Sequence, residues 1–218
     1  MITEKITSDQ EKQLTRFLED AMRKLDLSKE QAQEIIKNGG KMQAEVRDVL
    51  NKYSIADKRF TCVNTFEIVV PANYKHETRL DSFFKENKKK FYYYNNAITD
   101  KNFAKATTKL EPGRKFKVKV FQINNIITLT DCTDFLKSQN AVLTGAQGAS
   151  LVYEQKKEEL VKGKWAISFD EKDSLWKDSN GYFRVPYVFA RTDGDFEFLL
   201  SHFGIAWVEG RCLLCFCD

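Results

Sequence analysis

The sequence predicts an α+β chain in which a three-helix N-terminal segment, residues 1–57, precedes a predominantly antiparallel sheet domain, residues 58–218, with one or two helical inserts. Three observations carry this expectation. Apolar residues recur at helical spacing as far as Tyr53, and from Phe60 the texture changes to alternating aromatic and β-branched runs. The turns between several of those runs are too short for crossover helices, which favours antiparallel pairing.

The first helix is marked by Leu14, Phe17, Leu18, Ala21, Met22 and Leu25, which fall on one face behind a Thr7/Ser8 cap, with Glu11 three residues after Ser8. Ser28 with Gln31 starts a second helix carrying Ala32, Ile35 and Ile36, and Asn38-Gly39-Gly40 ends it. Met42, Val46, Val49, Leu50 and Tyr53 then give a third. The last two helices have the outline of a helix-turn-helix, with Lys41, Gln43, Arg47, Asn51 and Lys52 on the polar side of the second. The segment is electrically neutral, however, and a small helical docking unit fits it better than DNA recognition.

In the body, strands are expected at Phe60 to Val70, Phe91 to Tyr94, Lys115 to Ile123, Trp165 to Phe169, Tyr182 to Ala190, Phe196 to Leu200 and Cys212 to Cys217. Helical inserts are expected around Thr130 to Ser138 and from about Ala149 to Leu160. Arg191-Thr192-Asp193-Gly194-Asp195 carries the Asp-Gly pair that tight antiparallel hairpins favour.

Apolar residues at 42% and aromatics at 13% place the chain well away from disordered compositions. The N-terminus has no apolar core of a signal peptide, and no run approaches the 18 or so apolar residues of a membrane span. Five cysteines, three of them crowded at Cys212, Cys215 and Cys217, make a poor disulfide framework and fit reduced thiols. The expectation is a cytoplasmic protein with no membrane contact.

Charge is unevenly placed. The chain as a whole is +4, but residues 83–121 hold 11 Lys/Arg against 3 Asp/Glu, and the remainder of the chain is net negative. This stretch runs Phe83-Phe84-Lys85-Glu86-Asn87-Lys88-Lys89-Lys90-Phe91-Tyr92-Tyr93-Tyr94 and later Arg114-Lys115-Phe116-Lys117-Val118-Lys119-Val120-Phe121. In an extended strand Lys115, Lys117 and Lys119 project from one face and Phe116, Val118 and Val120 from the other. Lysines that neutralise phosphates beside aromatics that stack on bases are what a single-strand nucleic-acid surface needs. The candidate binding residues are therefore Lys88, Lys89, Lys90, Tyr92, Tyr94, Arg114, Lys115, Lys117 and Lys119, and nucleic acid is the expected polyanion. The alternatives are an acidic protein partner, or a solvated sheet face above a core of aromatics.

No complete catalytic, metal or nucleotide motif accompanies this stretch, and neither cofactor nor metal is expected. Gly145-Ala146-Gln147-Gly148 lacks the Gly-Lys-Ser/Thr of a phosphate-binding loop and reads as a turn and helix cap. Cys212-Leu213-Leu214-Cys215-Phe216-Cys217 has strand-forming spacers that would set Cys212 opposite to Cys215 and Cys217, against a zinc knuckle. Asp170-Glu171-Lys172-Asp173 and Asp193-Gly194-Asp195-Phe196-Glu197 read as turns. With only His76 and His202 as histidine bases, a small enzyme using a cysteine or carboxylate site in the C-terminal half is the reading from a different class.

Overall fold

The computed structural model describes residues 7–25, 27–40, 42, 43, 45, 46, 59–204 and 209–218. The chain divides into two units, residues 1–56 and 57–218, each taken by itself below.

In the first unit, α1 (Ser8–Arg23) is the expected amphipathic helix, and α2 (Lys29–Lys37) starts on a complete capping box. The Ser28 hydroxyl accepts from the Gln31 backbone N–H, and the Gln31 side chain accepts from the Ser28 N–H at 2.8 Å. Two helices are thus defined where three were expected. Helical backbone resumes at Gly39, Gly40, Met42, Gln43, Glu45 and Val46, and the rest of the expected third helix lies outside the described residues. Leu18, Met22, Leu25, Ile35 and Met42 line an apolar groove of about 750 Å³ in this unit.

The second unit is built on a mixed sheet in the order β1-β3-β8-β4-β6-β7-β2, with a short β5 on β6. The strands are β1 (Phe60–Val69), β2 (Tyr93–Tyr94), β3 (Lys115–Ile123), β4 (Lys164–Ile167), β5 (Trp176–Lys177), β6 (Phe183–Ala190), β7 (Phe196–His202) and β8 (Arg211–Cys217). Antiparallel pairing was expected to predominate, and it does hold for β1–β3, β3–β8, β4–β6, β5–β6 and β6–β7, but β4–β8 and β2–β7 are parallel. Both parallel pairs join strands far apart in sequence, for which turn length gives no signal. The β6–β7 hairpin turns at Gly194, whose φ of +98° lies in the region that favours glycine.

Helices cover both faces. On one face lie Phe66, Ile68, Phe116, Val118, Val120, Val188, Phe198 and Phe216, packed with α3 (Arg79–Asn87) and α5 (Gly145–Lys156). On the other, Phe121, Ile123, Ile167, Tyr187, Leu213 and Cys215 pack with α4 (Leu129–Ser138). Strand alternation sorts each residue to its face, and a bulge between Cys62 and Asn64 changes the phase of β1. Phe60 therefore joins the α4 side, where it stacks on Phe135 with centroids 3.9 Å apart, although its parity matches Phe66.

The sequence pattern did not disclose α3. Its first turn is capped from a distance: the Asp100 carboxylate accepts from the Leu80 and Asp81 N–H groups, both at 2.9 Å, and Asp81 accepts in return from the Asp100 N–H. The α5 helix begins four residues before the expected start, so Gly145 to Gly148 form its first turn and not a preceding loop. Every residue from Gly145 to Tyr153 is buried, which removes the amphipathic signal on which sequence reading depends.

The glycines and alanines of α5 let it lie close to the sheet. A Cβ on Gly148 would collide with the Thr144 side chain and come within 2.9 Å of the Phe216 ring. Gly148→Ala should therefore destabilise the protein by roughly 1–3 kcal/mol through overpacking, read as a lower denaturant midpoint.

Candidate nucleic-acid interface

The structure divides the basic stretch. Lys115, Lys117 and Lys119 sit on β3, second in the strand order from one edge, whereas Tyr92 and Tyr94 belong to or adjoin β2 at the other edge, with β8, β4, β6 and β7 between. Residues 83–121 are contiguous in sequence and do not form one continuous sheet surface.

On β3 the alternation is as expected: Lys115 and Lys117 are exposed, Lys119 is half-buried, and Phe116, Val118 and Val120 are buried. None of the three lysines makes an ion pair among the described residues, although Glu67 of β1 lies directly across from Lys117. Arg114, at the start of this ladder, is already engaged. Its guanidinium donates to both oxygens of the Asp218 side chain at 2.9 and 2.8 Å and lies over the Phe116 ring. It is available to a ligand only in competition with that carboxylate.

At the other edge, α3 ends in a single tight turn made of Lys88, Lys89 and Lys90, which projects all three side chains into solvent. Lys85, one turn back on α3, is also exposed, and none of the four is paired with a carboxylate among the described residues. Lys90 donates to the Asn87 Oδ1 at 2.9 Å; Lys88 donates to the Asn96 Oδ1 at 3.4 Å and lies 4.6 Å from the Phe84 ring centroid. These contacts with neutral groups leave the positive charge uncompensated.

The tyrosines then separate. Tyr94 is buried within a ring cluster of Phe83, Phe84, Phe91 and Phe198, so it belongs to the core and cannot stack on a base. Burial holds its hydroxyl well above the ordinary tyrosine range, and that hydroxyl has no hydrogen-bond partner among the described residues. Tyr92 is 67% exposed, with the Arg191 guanidinium 4.0 Å from its ring centroid, itself held by Asp193 and Glu197. Tyr93, absent from the candidate residues, is 50% exposed and packs on no other ring among the described residues. Strand alternation was the available signal, since it sets Tyr93 opposite to Tyr94.

Beside these lysines, Asp81, Phe84, Lys85, Asn96 and Thr99 line a cleft of about 190 Å³ between α3 and the segment that follows β2. No spacing in the sequence announces it, because α3 and residues 96–99 meet through the Asp81–Asp100 capping exchange.

The chain matches no protein-family model, no curated protein and no solved structure. No helix among the described residues is long and apolar enough to cross a membrane.

The features weighed for chemistry take structural places. Cys212 faces the α5 side, while Cys215 and Cys217 face the α4 side with their sulfurs 3.7 Å apart. Burial pushes the Cys132 thiol up to about 12 and the Cys212 thiol up to about 11, the wrong direction for a nucleophile. Cys62 is exposed. Neither histidine hydrogen-bonds to a cysteine or a carboxylate among the described residues: His76 Nδ1 accepts from the Leu110 N–H at 3.2 Å, and His202 packs edge-on to Tyr182. Among the described residues no group of three His, Cys, Asp or Glu side chains is placed to hold a metal ion. Asp170 is 3% exposed and accepts from the Thr107 and Glu171 N–H groups, anchoring residues 107 and 171 beside the start of α5. Asp193 holds the Arg191 guanidinium and caps its own turn.

Two measurements test these placements. Tyr94→Phe removes a buried hydroxyl that has no partner among the described residues, so stability should hold or rise by up to about 1 kcal/mol, whereas Tyr94→Ala should lose about 3–5 kcal/mol. Burial raises the Asp170 pKa above its unfolded value, so ionising it costs stability in the folded state. Relative to Asp170→Asn, the wild type should be most stable below the ordinary aspartate range and lose that advantage as pH rises through the folded pKa, in denaturation curves recorded from about pH 3 to about pH 7.

Proposed function

We propose that the protein is a non-enzymatic binding protein that holds single-stranded nucleic acid against the β2 edge of the sheet. The observation that carries this reading is the coincidence of four exposed lysines lacking a carboxylate partner among the described residues, Lys85, Lys88, Lys89 and Lys90, with the exposed rings of Tyr92 and Tyr93. Such lysines track a phosphate backbone, and an aromatic face stacks on a base of any identity. Arg191 packs on Tyr92, but Asp193 and Glu197 hold its guanidinium, so like Arg114 it reaches a ligand only in competition with carboxylates. β2 is also the last strand at this end of the sheet order, so no further described strand pairs with it there.

The β3 ladder supports a second reading, an acidic protein as partner. Lys115 and Lys117 stand beside Val69, which is 42% exposed and lies across from Lys115, so cations and an apolar side chain share one patch. Protein contacts use that mixture, whereas phosphate tracking does not need the apolar component.

One experiment separates the two. Replacing Lys88, Lys89 and Lys90 by Gln should weaken binding to a single-stranded oligonucleotide at low salt and flatten the dependence of log affinity on log salt by roughly 0.7 for each phosphate no longer neutralised. Tyr93→Ala should lose on the order of 1–3 kcal/mol of affinity with little change in that slope. Replacing Lys115 and Lys117 by Gln should leave oligonucleotide binding nearly intact. The nucleic-acid reading fails if the wild type binds no oligonucleotide at low salt, and the β2 edge is the wrong place if only the β3 replacements weaken binding.

A further inference from the structure

Resting on that reading, we infer that the cleft between α3 and residues 96–99 takes one base of the bound strand and prefers bases with an exocyclic amino group over thymine or uracil. The cleft lies among the proposed phosphate contacts. Lys85 is part of its wall, and the Lys88 ammonium contacts two of its lining residues, the Phe84 ring and the Asn96 Oδ1. Its volume of about 190 Å³ suits a single flat ring system and is far below that of a drug-sized site.

Its chemistry is mixed in the way base recognition requires. Phe84 supplies a ring wall, held by edge-on contact with Tyr94 at 5.0 Å. Asp81 contributes a carboxylate of which one oxygen accepts from the Asp100 N–H and the other has no donor among the described residues. Asn96 contributes an amide whose oxygen is met by Lys88 and whose NH₂ group has no acceptor among the described residues. A free acceptor and a free donor thus line one small space.

The carboxylate sets the preference. It only accepts hydrogen bonds, and the amino groups of cytosine, adenine and guanine project from the ring to donate to it. Thymine and uracil present one N–H on that edge, flanked by two carbonyl oxygens that would face the carboxylate with like partial charge. Freeing Lys88 from Phe84 costs little, because a lysine released from an exposed cation–π contact can meet a backbone phosphate instead. Phosphate contacts then give affinity and the cleft gives selectivity, a division common in nucleic-acid recognition.

Comparing two pyrimidines avoids the stronger stacking of purines. Equilibrium binding of the full chain to oligodeoxycytidylate and oligodeoxythymidylate of equal length should favour the former, on the order of ten-fold. Asp81→Asn, whose amide can donate as well as accept, should bring the two affinities together, and the variant should be checked for cooperative melting because Asp81 also takes part in the α3 cap. Asn96→Ala, which leaves that cap untouched, should reduce cytidylate binding more than thymidylate binding. Lys85→Gln should weaken both equally. Equal wild-type affinities, or a cytidylate preference that survives both Asp81→Asn and Asn96→Ala, would overturn the cleft assignment while leaving the binding edge in place. Absence of binding to either oligonucleotide would overturn both.

Discussion

The second unit depends on the seating of α5 against its sheet. Nine consecutive buried residues, most of them small, allow the helix to approach so closely that Gly148 has no room for a methyl group beside Thr144 and Phe216. From that position α5 holds parts of the fold that share no strand pairing. Gln155 closes on β1, accepting from the Val69 N–H and donating to its carbonyl at 3.1 and 2.8 Å. Ser150 and Glu154 take the Arg79 guanidinium of α3, and the Gln147 side chain reaches the carbonyl of Phe103. Tyr153 stacks on Phe91 and meets Phe196 edge-on. The proposed binding edge is therefore positioned by a helix that contributes none of its exposed residues.

What could be read in advance followed the reach of each physical signal. Alternation over Lys115 to Ile123 is a local rule, and it set the lysines and the apolar side chains of β3 on their proper faces. The Ser28 box and the Asp193-Gly194 turn are likewise local, and both formed. The parallel pairing of β4 with β8 and of β2 with β7 brings together residues far apart in the chain, and no local spacing encodes it. Helix α3 escaped notice because its cap comes from Asp100, about twenty residues downstream, in place of a neighbouring Ser or Thr. The α5 boundary was misread because glycine signals a turn in isolation and close packing in a buried helix.

The same limit shaped the reading of the candidate surface. Composition located the positive charge correctly, but charge summed along a chain says nothing about how strands are ordered in a sheet. Tyr92, Tyr93 and Tyr94 show it at single-residue scale: one lies under a guanidinium, one is open, and one is buried among phenylalanines. Arg114, alike in sequence to the lysines that follow it, is occupied by Asp218. The cleft beside Asn96 leaves no local trace in the sequence, since its walls come from a helix and a loop joined by a capping exchange.

The place of β8 has a consequence for how the chain reaches its native state. It is the last of the described strands in sequence order, yet it lies between β3 and β4 and joins β1 and β3 to the remainder of the sheet. Until residues 211–217 have been synthesised, the sheet can exist only as two fragments, each presenting an unsatisfied edge. Pairing Val120 with Leu214 then closes a loop of more than ninety residues, a contact of high sequence separation that slows folding. During that interval the open edges of β3 and β4 can recruit the wrong strand.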